Sequence, residues 1–169
     1  MKRRFVLLGV ILAFLTTLAV PASVAAHPLG NFTVNRYSRI EPSGNRVYVL
    51  YVLDMAEIPT FQASSKVHAE GEARYAATLT ASIRRGLELT VDRKRLPLSP
   101  LRHVLAFPPG QAGLHTTRLE VVFASPPLGR GAGRLAYRDT NFASRIGWKE
   151  IVVRAGEGAG VHSSSAQAK

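Results

Sequence analysis

The segment Val47–Met55, VYVLYVLDM, constrains this chain most, because β-branched and aromatic residues fill both its odd and its even positions. Successive side chains of a strand point to opposite faces, so an apolar run of this kind reads as a central buried strand. Phe32–Ile40 reads as the strand before it, with Phe32, Val34 and Ile40 on one face. Glu41–Asn45, EPSGN, supplies a turn through Pro42 and Gly44, and the two strands form a hairpin.

Beyond the hairpin the period changes twice. Pro59 ends the hairpin unit, and Ala63–Glu72 is polar and mixed. Over Glu70–Arg85 the residues Tyr75, Leu79, Ser82 and Ile83 recur at helical spacing, and Gly86 stands where a helix would be capped. Alternation then returns, with Leu87, Leu89 and Val91 inward, the basic turn Asp92–Arg95 and then Leu96 and Leu98. Leu101–Phe107 reads as a further apolar strand, and Thr117–Phe123 as another with Leu119, Val121 and Phe123 inside. Two Pro/Gly loops follow these strands, and Leu135–Tyr137 and Ile151–Val153 are short final strands. The expectation is a mainly β chain, a β-sandwich-like (Ig-like) domain with one inserted α-helix. It spans residues 27–155, and residues 156–169 read as a flexible tail.

The N-terminus has a different character. Met1–Arg4 is basic, Phe5–Val20 is almost wholly apolar, and Pro21 is followed by the small residues ASVAA. This is the three-part pattern of a secretory signal peptide over residues 1–26, or of an uncleaved anchor, and it predicts an N-terminal signal helix. Cleavage after Ala25 or after Ala26 fits the small-residue rule. No second apolar stretch is long enough to span a bilayer, which takes ~20 residues. The expected location is extracytoplasmic, periplasmic or at the cell surface, with membrane anchoring by the N-terminus if the run is retained.

The 169 residues suit one compact domain, and the formal net charge is +11. Without Lys2, Arg3 and Arg4 the remainder is still clearly basic. The charge is spread over Arg84, Arg85, Arg93, Lys94, Arg95, Arg138, Arg154 and others, and is not interleaved with aromatics as in a nucleic-acid groove. With export, it points away from nucleic acid and toward a solvated basic face or anionic membrane headgroups. The absence of cysteine removes disulfides, thiolate metal sites and cysteine nucleophiles.

Few residues suggest site chemistry. His68, His103, His115 and His162 have no metal-ligand spacing, and His103 shares strand parity with Leu101, Leu105 and Phe107, which reads as partial burial. Asp54 and Glu57 flank a strand end without forming an evident acid–base dyad. No nucleophile elbow or P-loop occurs, Gly129–Gly133 reads as a flexible turn, and no enzyme activity is expected. Trp148, the single tryptophan, reads first as a packing anchor and second as a docking residue. His27 is the candidate metal ligand. Cleavage after Ala26 would let its α-amino group and imidazole Nδ1 chelate one divalent ion, and cleavage after Ala25 would let the Ala26 amine join instead. Pro28 lacks an amide N–H, so a chain of deprotonated amides cannot continue past it.

Three segments, AHPLGNFTVNRYSRIE (Ala26–Glu41), YVLDMAEIPTFQ (Tyr51–Gln62) and YRDTNFASRIGWKEIVV (Tyr137–Val153), resemble in order and spacing the extracytoplasmic N-terminal domain of bacterial nickel/cobalt transporter family proteins of the high-affinity nickel-transport type. The resemblance covers nearly the whole chain after the leader. It implies an exported accessory domain of divalent-metal transport that binds Ni²⁺ or Co²⁺, or docks on a membrane transporter component. The transporter's own membrane part has no counterpart here, so the alternative is a structural or interaction module without ligand, from a truncated or split membrane protein. Many relatives resemble a calcium loop where this chain has Ala63–Tyr75, ASSKVHAEGEARY. Its acidic residues are Glu70 and Glu72, far short of the ~6–8 oxygens such a site needs, so no calcium site is expected.

Overall fold

The computed structural model describes residues 28–129, 131 and 133–168. The signal segment, the predicted signal helix and His27 lie outside the described residues. The chain is mainly β, with two sheets and two helices among the described residues.

After a 3-10 turn at Pro28–Phe32 come β1 (Val34–Ser43) and β2 (Arg46–Met55). They pair antiparallel from Val34 opposite Met55 to Ser43 opposite Arg46. The turn is therefore only Gly44-Asn45, and Gly44 takes the positive φ of +55° that so tight a reversal asks for. Pro42 belongs to the strand and not to the turn. Phe32 departs from the expectation as well: it sits in the 3-10 turn and is largely exposed.

The helical region holds two helices, α1 (Glu57–Glu70) and α2 (Glu72–Arg85), where one was expected. Pro59 does not end the unit. It lies in the first turn of α1, where its missing N–H costs no intrahelical bond. Gly71, at φ +79° and ψ +153°, breaks the path between the helices. α1 buries only Glu57, Pro59 and Thr60 of its first turn. Thr60 Oγ1 donates to the Met55 carbonyl at 3.2 Å and so accepts from Thr117 Oγ1 at 2.9 Å. α2 is the better packed helix, burying Tyr75, Ala76, Thr80 and Ile83.

The remaining strands are β3 (Leu87–Val91), β4 (Lys94–Leu96), β5 (Ser99–Ala106), β6 (Thr117–Ala124), β7 (Leu135–Asp139), β8 (Lys149–Val153) and β9 (Gln167–Ala168). The larger sheet has the order β5-β6-β2-β1-β8-β9 and the smaller one β4-β3-β7. β2 is thus central, as its composition requires, and β9 brings the C-terminal segment onto the sheet beside β8.

One face of the larger sheet presents Val34 and Ile40, Val47, Val49, Tyr51 and Leu53, and Leu119, Val121 and Phe123. These join Leu87 and Leu89 of β3 and Ile83 of α2 in a single buried cluster, with Leu96, Leu135 and Tyr137 against it. The opposite face mixes Tyr37, Tyr48, Leu50 and Val122 with charged residues, and Val52 and Val152 are buried on it. There Asp54 and Arg118 are direct cross-strand partners, and Arg118 bridges Asp54 at 3.0 Å and Glu120 at 2.8 Å. Such exposed pairs contribute little stability, in the range ~0–1 kcal/mol each.

β5 overturns one expectation. Leu101 is 61% exposed, Val104 63%, and His103 is exposed rather than partly buried. Pairing explains this: β5 lies at the sheet edge, bonded only to β6, with a register shift between Pro100 and Arg102. Pro100 has no N–H to offer another strand, which suits an edge.

Candidate functional site

The structure scatters most of the residues that sequence reasoning singled out. His68 lies exposed on α1, His103 on β5, His115 in the loop before β6 and His162 in the C-terminal segment. Among the described residues no three His, Asp or Glu side chains come together as a metal-holding group. Asp54 is tied to Arg118 on the outer sheet face. Glu57 Oε1 accepts the Gln111 amide N–H at 2.9 Å, which holds its carboxyl below the usual range and clamps the loop after β5 to the start of α1.

A different set is brought together, between the two sheets. Strand alternation on β1 puts Arg36 and Ser38 on the inner face with Val34 and Ile40, and register sets Ser38 beside Tyr51. β7 supplies Tyr137 and Asp139 from across the layer. Ser38 Oγ and Tyr137 OH lie 3.0 Å apart, and Tyr51 OH donates to Asp139 Oδ2 at 3.4 Å. Asp139 Oδ1 accepts the Asn141 amide N–H at 2.9 Å and Asn141 Nδ2 at 2.8 Å. Asn141 Nδ2 also donates to the Ile83 carbonyl at 3.0 Å, and its side chain lies against Gly86, where any Cβ would collide with it. The end of α2 is thereby locked to the turn after β7.

Arg36 is only 7% exposed, and its guanidinium makes no ion pair or side-chain hydrogen bond among the described residues. Its Nε is buried without a partner. Burial so complete costs several kcal/mol for an isolated ion. The sequence did hold a signal for this cluster. Arg36 and Ser38 share parity with Val34 and Ile40, so a strand with that face inward must bury both.

Burial is the main reason the Tyr51 and Tyr137 phenols titrate well above their ordinary value of 10.0, and the Asp139 carboxylate adds to the shift at both. The Ser38 hydrogen bond offsets part of it at Tyr137. Both phenols are neutral hydrogen-bonding groups at physiological pH and not bases. A phenol whose folded pKa is raised contributes stability that is complete below the unfolded value and is lost as pH rises above it. The fold is therefore expected to weaken above about pH 10. The phenolate absorbance of Tyr51 and Tyr137 should emerge only together with loss of far-ultraviolet ellipticity. Full ionisation of all 5 tyrosines before any change in ellipticity would contradict the buried cluster.

Beside the cluster a groove of about 430 Å³ is lined by Tyr137, Lys149, Glu150, Ile151, Ser165 and Ala166. Lys149 Nζ reaches the Asp139 carbonyl at 3.5 Å along one side of it.

A second arrangement surrounds the N-terminal end of β1. The Val34 amide N–H donates to the Ile146 carbonyl at 2.7 Å, that of Arg36 to the Trp148 carbonyl at 3.0 Å, and that of Trp148 to Asn35 Oδ1 at 3.1 Å. Gly147, at φ +145°, passes so close to the Val34 backbone that a Cβ would collide with it. The Ala56 amide N–H donates to the Thr33 carbonyl at 2.9 Å, and Arg145 Nη2 to Gln62 Oε1 at 3.1 Å. The segments meeting here carry Phe32, Phe61, Ile146 and Trp148, all large apolar residues with about half or more of their surface exposed. Trp148, at 49%, is therefore not the packing anchor the sequence suggested. Family models, curated proteins and solved structures offer no match to this chain.

Proposed function

We propose that this chain is an exported accessory domain of divalent-metal transport, with nickel or cobalt as the ion, that binds the metal or docks on a membrane transporter component. The observation that carries the reading is spatial. The segments Ala26–Glu41, Tyr51–Gln62 and Tyr137–Val153, which bear the resemblance to nickel/cobalt transporter domains, are far apart in sequence yet meet around β1. Between them they supply the interlayer cluster of Arg36, Ser38, Tyr51, Tyr137, Asp139 and Asn141, and also the exposed Phe32, Phe61, Ile146 and Trp148. Residues outside them form the smaller sheet's β3 and β4 and the edge strand β5. A shared buried core in which both sheets take part supports a β-sandwich-like, Ig-like architecture.

His27 precedes the described residues by one position, at the start of the first of these segments. A free amine and imidazole there would supply two nitrogen ligands, with the rest coming from the fold or from the transporter. Calorimetric titration of the correctly processed protein with Ni²⁺ and Co²⁺ is expected to show binding that His27→Ala weakens at least about tenfold. Absence of heat with the processed wild-type chain would remove the metal-binding half of the proposal. The second reading, an interaction module without ligand, draws on the exposed apolar residues alone and would then stand.

A further inference from the structure

We infer that the end of the domain formed by Phe32, Phe61, Ile146 and Trp148 rests on the interface of an anionic phospholipid bilayer. Four large apolar side chains in half-exposed or more exposed positions converge on one end of the molecule, while the cores of both sheets are closed. Phe61 stands on α1 just past the turn that is buried, so the helix holds it outward on a rigid element. Trp148 is fixed by backbone bonds on both its amide and its carbonyl, so its exposure is imposed by the strand path.

The occupant follows from charge and connectivity. Exposed Arg145 precedes the Ile146–Trp148 step, while Lys149 after it turns toward the Asp139 carbonyl. The nearest carboxylates are engaged or inward: Glu57 is buried on the Gln111 amide, Asp54 is paired with Arg118, and Glu150 is itself engaged. Aromatic and aliphatic tips beside the Arg145 cation, on a chain of net charge +11, match a surface of acyl chains under anionic headgroups. Pro28 opens the described chain at this same end. The apolar run Phe5–Val20 precedes it by a span that covers at most about 30 Å of extended chain, so a retained run would hold this end at the bilayer.

This deepens the reading of the domain as a membrane-side accessory, yet it is tested without metal or transporter. Trp148 is the only tryptophan, so its emission reports on this surface alone. The full chain, as exported, is mixed with vesicles of phosphatidylglycerol and phosphatidylcholine, or of phosphatidylcholine only, with brominated acyl chains as quenchers. Blue-shifted emission quenched by shallow bromines is expected in the anionic vesicles. Phe61→Ser and Arg145→Glu, both at exposed positions, should each weaken that partition about tenfold with unchanged far-ultraviolet ellipticity. Unchanged Trp148 emission at saturating anionic lipid would overturn the inference, even if the chain co-sediments through its N-terminal run. So would a blue shift that needs no lipid and grows with protein concentration, the mark of a second copy, or one seen only with a transporter component present. A failed metal titration would leave all these outcomes untouched.

Discussion

Replacing Asp139 by alanine is expected to cost about 3–5 kcal/mol of folding stability. Asp139 is 3% exposed and joins three parts of the fold: Tyr51 on β2, the turn at Asn141 and, through Asn141, the Ile83 carbonyl near the end of α2. Truncation leaves the Tyr51 hydroxyl and the Asn141 amide N–H buried without their acceptor. Asp139→Asn keeps the shape and one acceptor oxygen, so it should cost less than the alanine. Urea unfolding followed by ellipticity measures both. An alanine variant within about 0.5 kcal/mol of the wild type would mean that the cluster is open to water in solution.

How much of this was legible depends on which physical rule decides each residue. β3 and β6 follow period-two patterns whose inward sets, such as Leu119, Val121 and Phe123, are the buried ones, and β2, apolar at both parities, takes the central place that such a run predicts. α2 followed from helical spacing, although Ser82 turns out exposed and Thr80 buried. α1 was not legible, because Pro59 breaks a helix interior but fits a first turn, and only the backbone path tells the two apart. Local pattern also could not say which strand lies at the edge. The apolar character of Leu101 and Val104 is the same on a central strand, and sheet order alone leaves them exposed. The polar cluster needed both sheets at once: Arg36 and Ser38 could be placed inward from β1, but their neighbours Tyr137 and Asp139 come from a hundred residues away. Trp148 shows the converse, since an aromatic that looks like core from its scarcity is held outward by its bonds to Asn35 and Arg36.

The contrast between β6 and β5 gives the second large effect. Phe123→Ala is expected to destabilise by about 3–5 kcal/mol, because Phe123 is fully buried, lies opposite Val49 of the central strand and belongs to the cluster shared by both sheets. Nothing nearby can collapse freely into the space, since the flanking positions are backbone-paired on both sides, to β2 and to β5. Leu101→Ala and Val104→Ala should stay within about 0.5 kcal/mol of the wild type, although both lie in a strand whose sequence reads as apolar. Parallel urea titrations of the three variants separate the alternatives. A Leu101→Ala cost comparable to that of Phe123→Ala would require β5 to be covered, either by a second layer or by association along the edge. Measuring the same variants across protein concentrations then distinguishes these, because only association makes the cost depend on concentration.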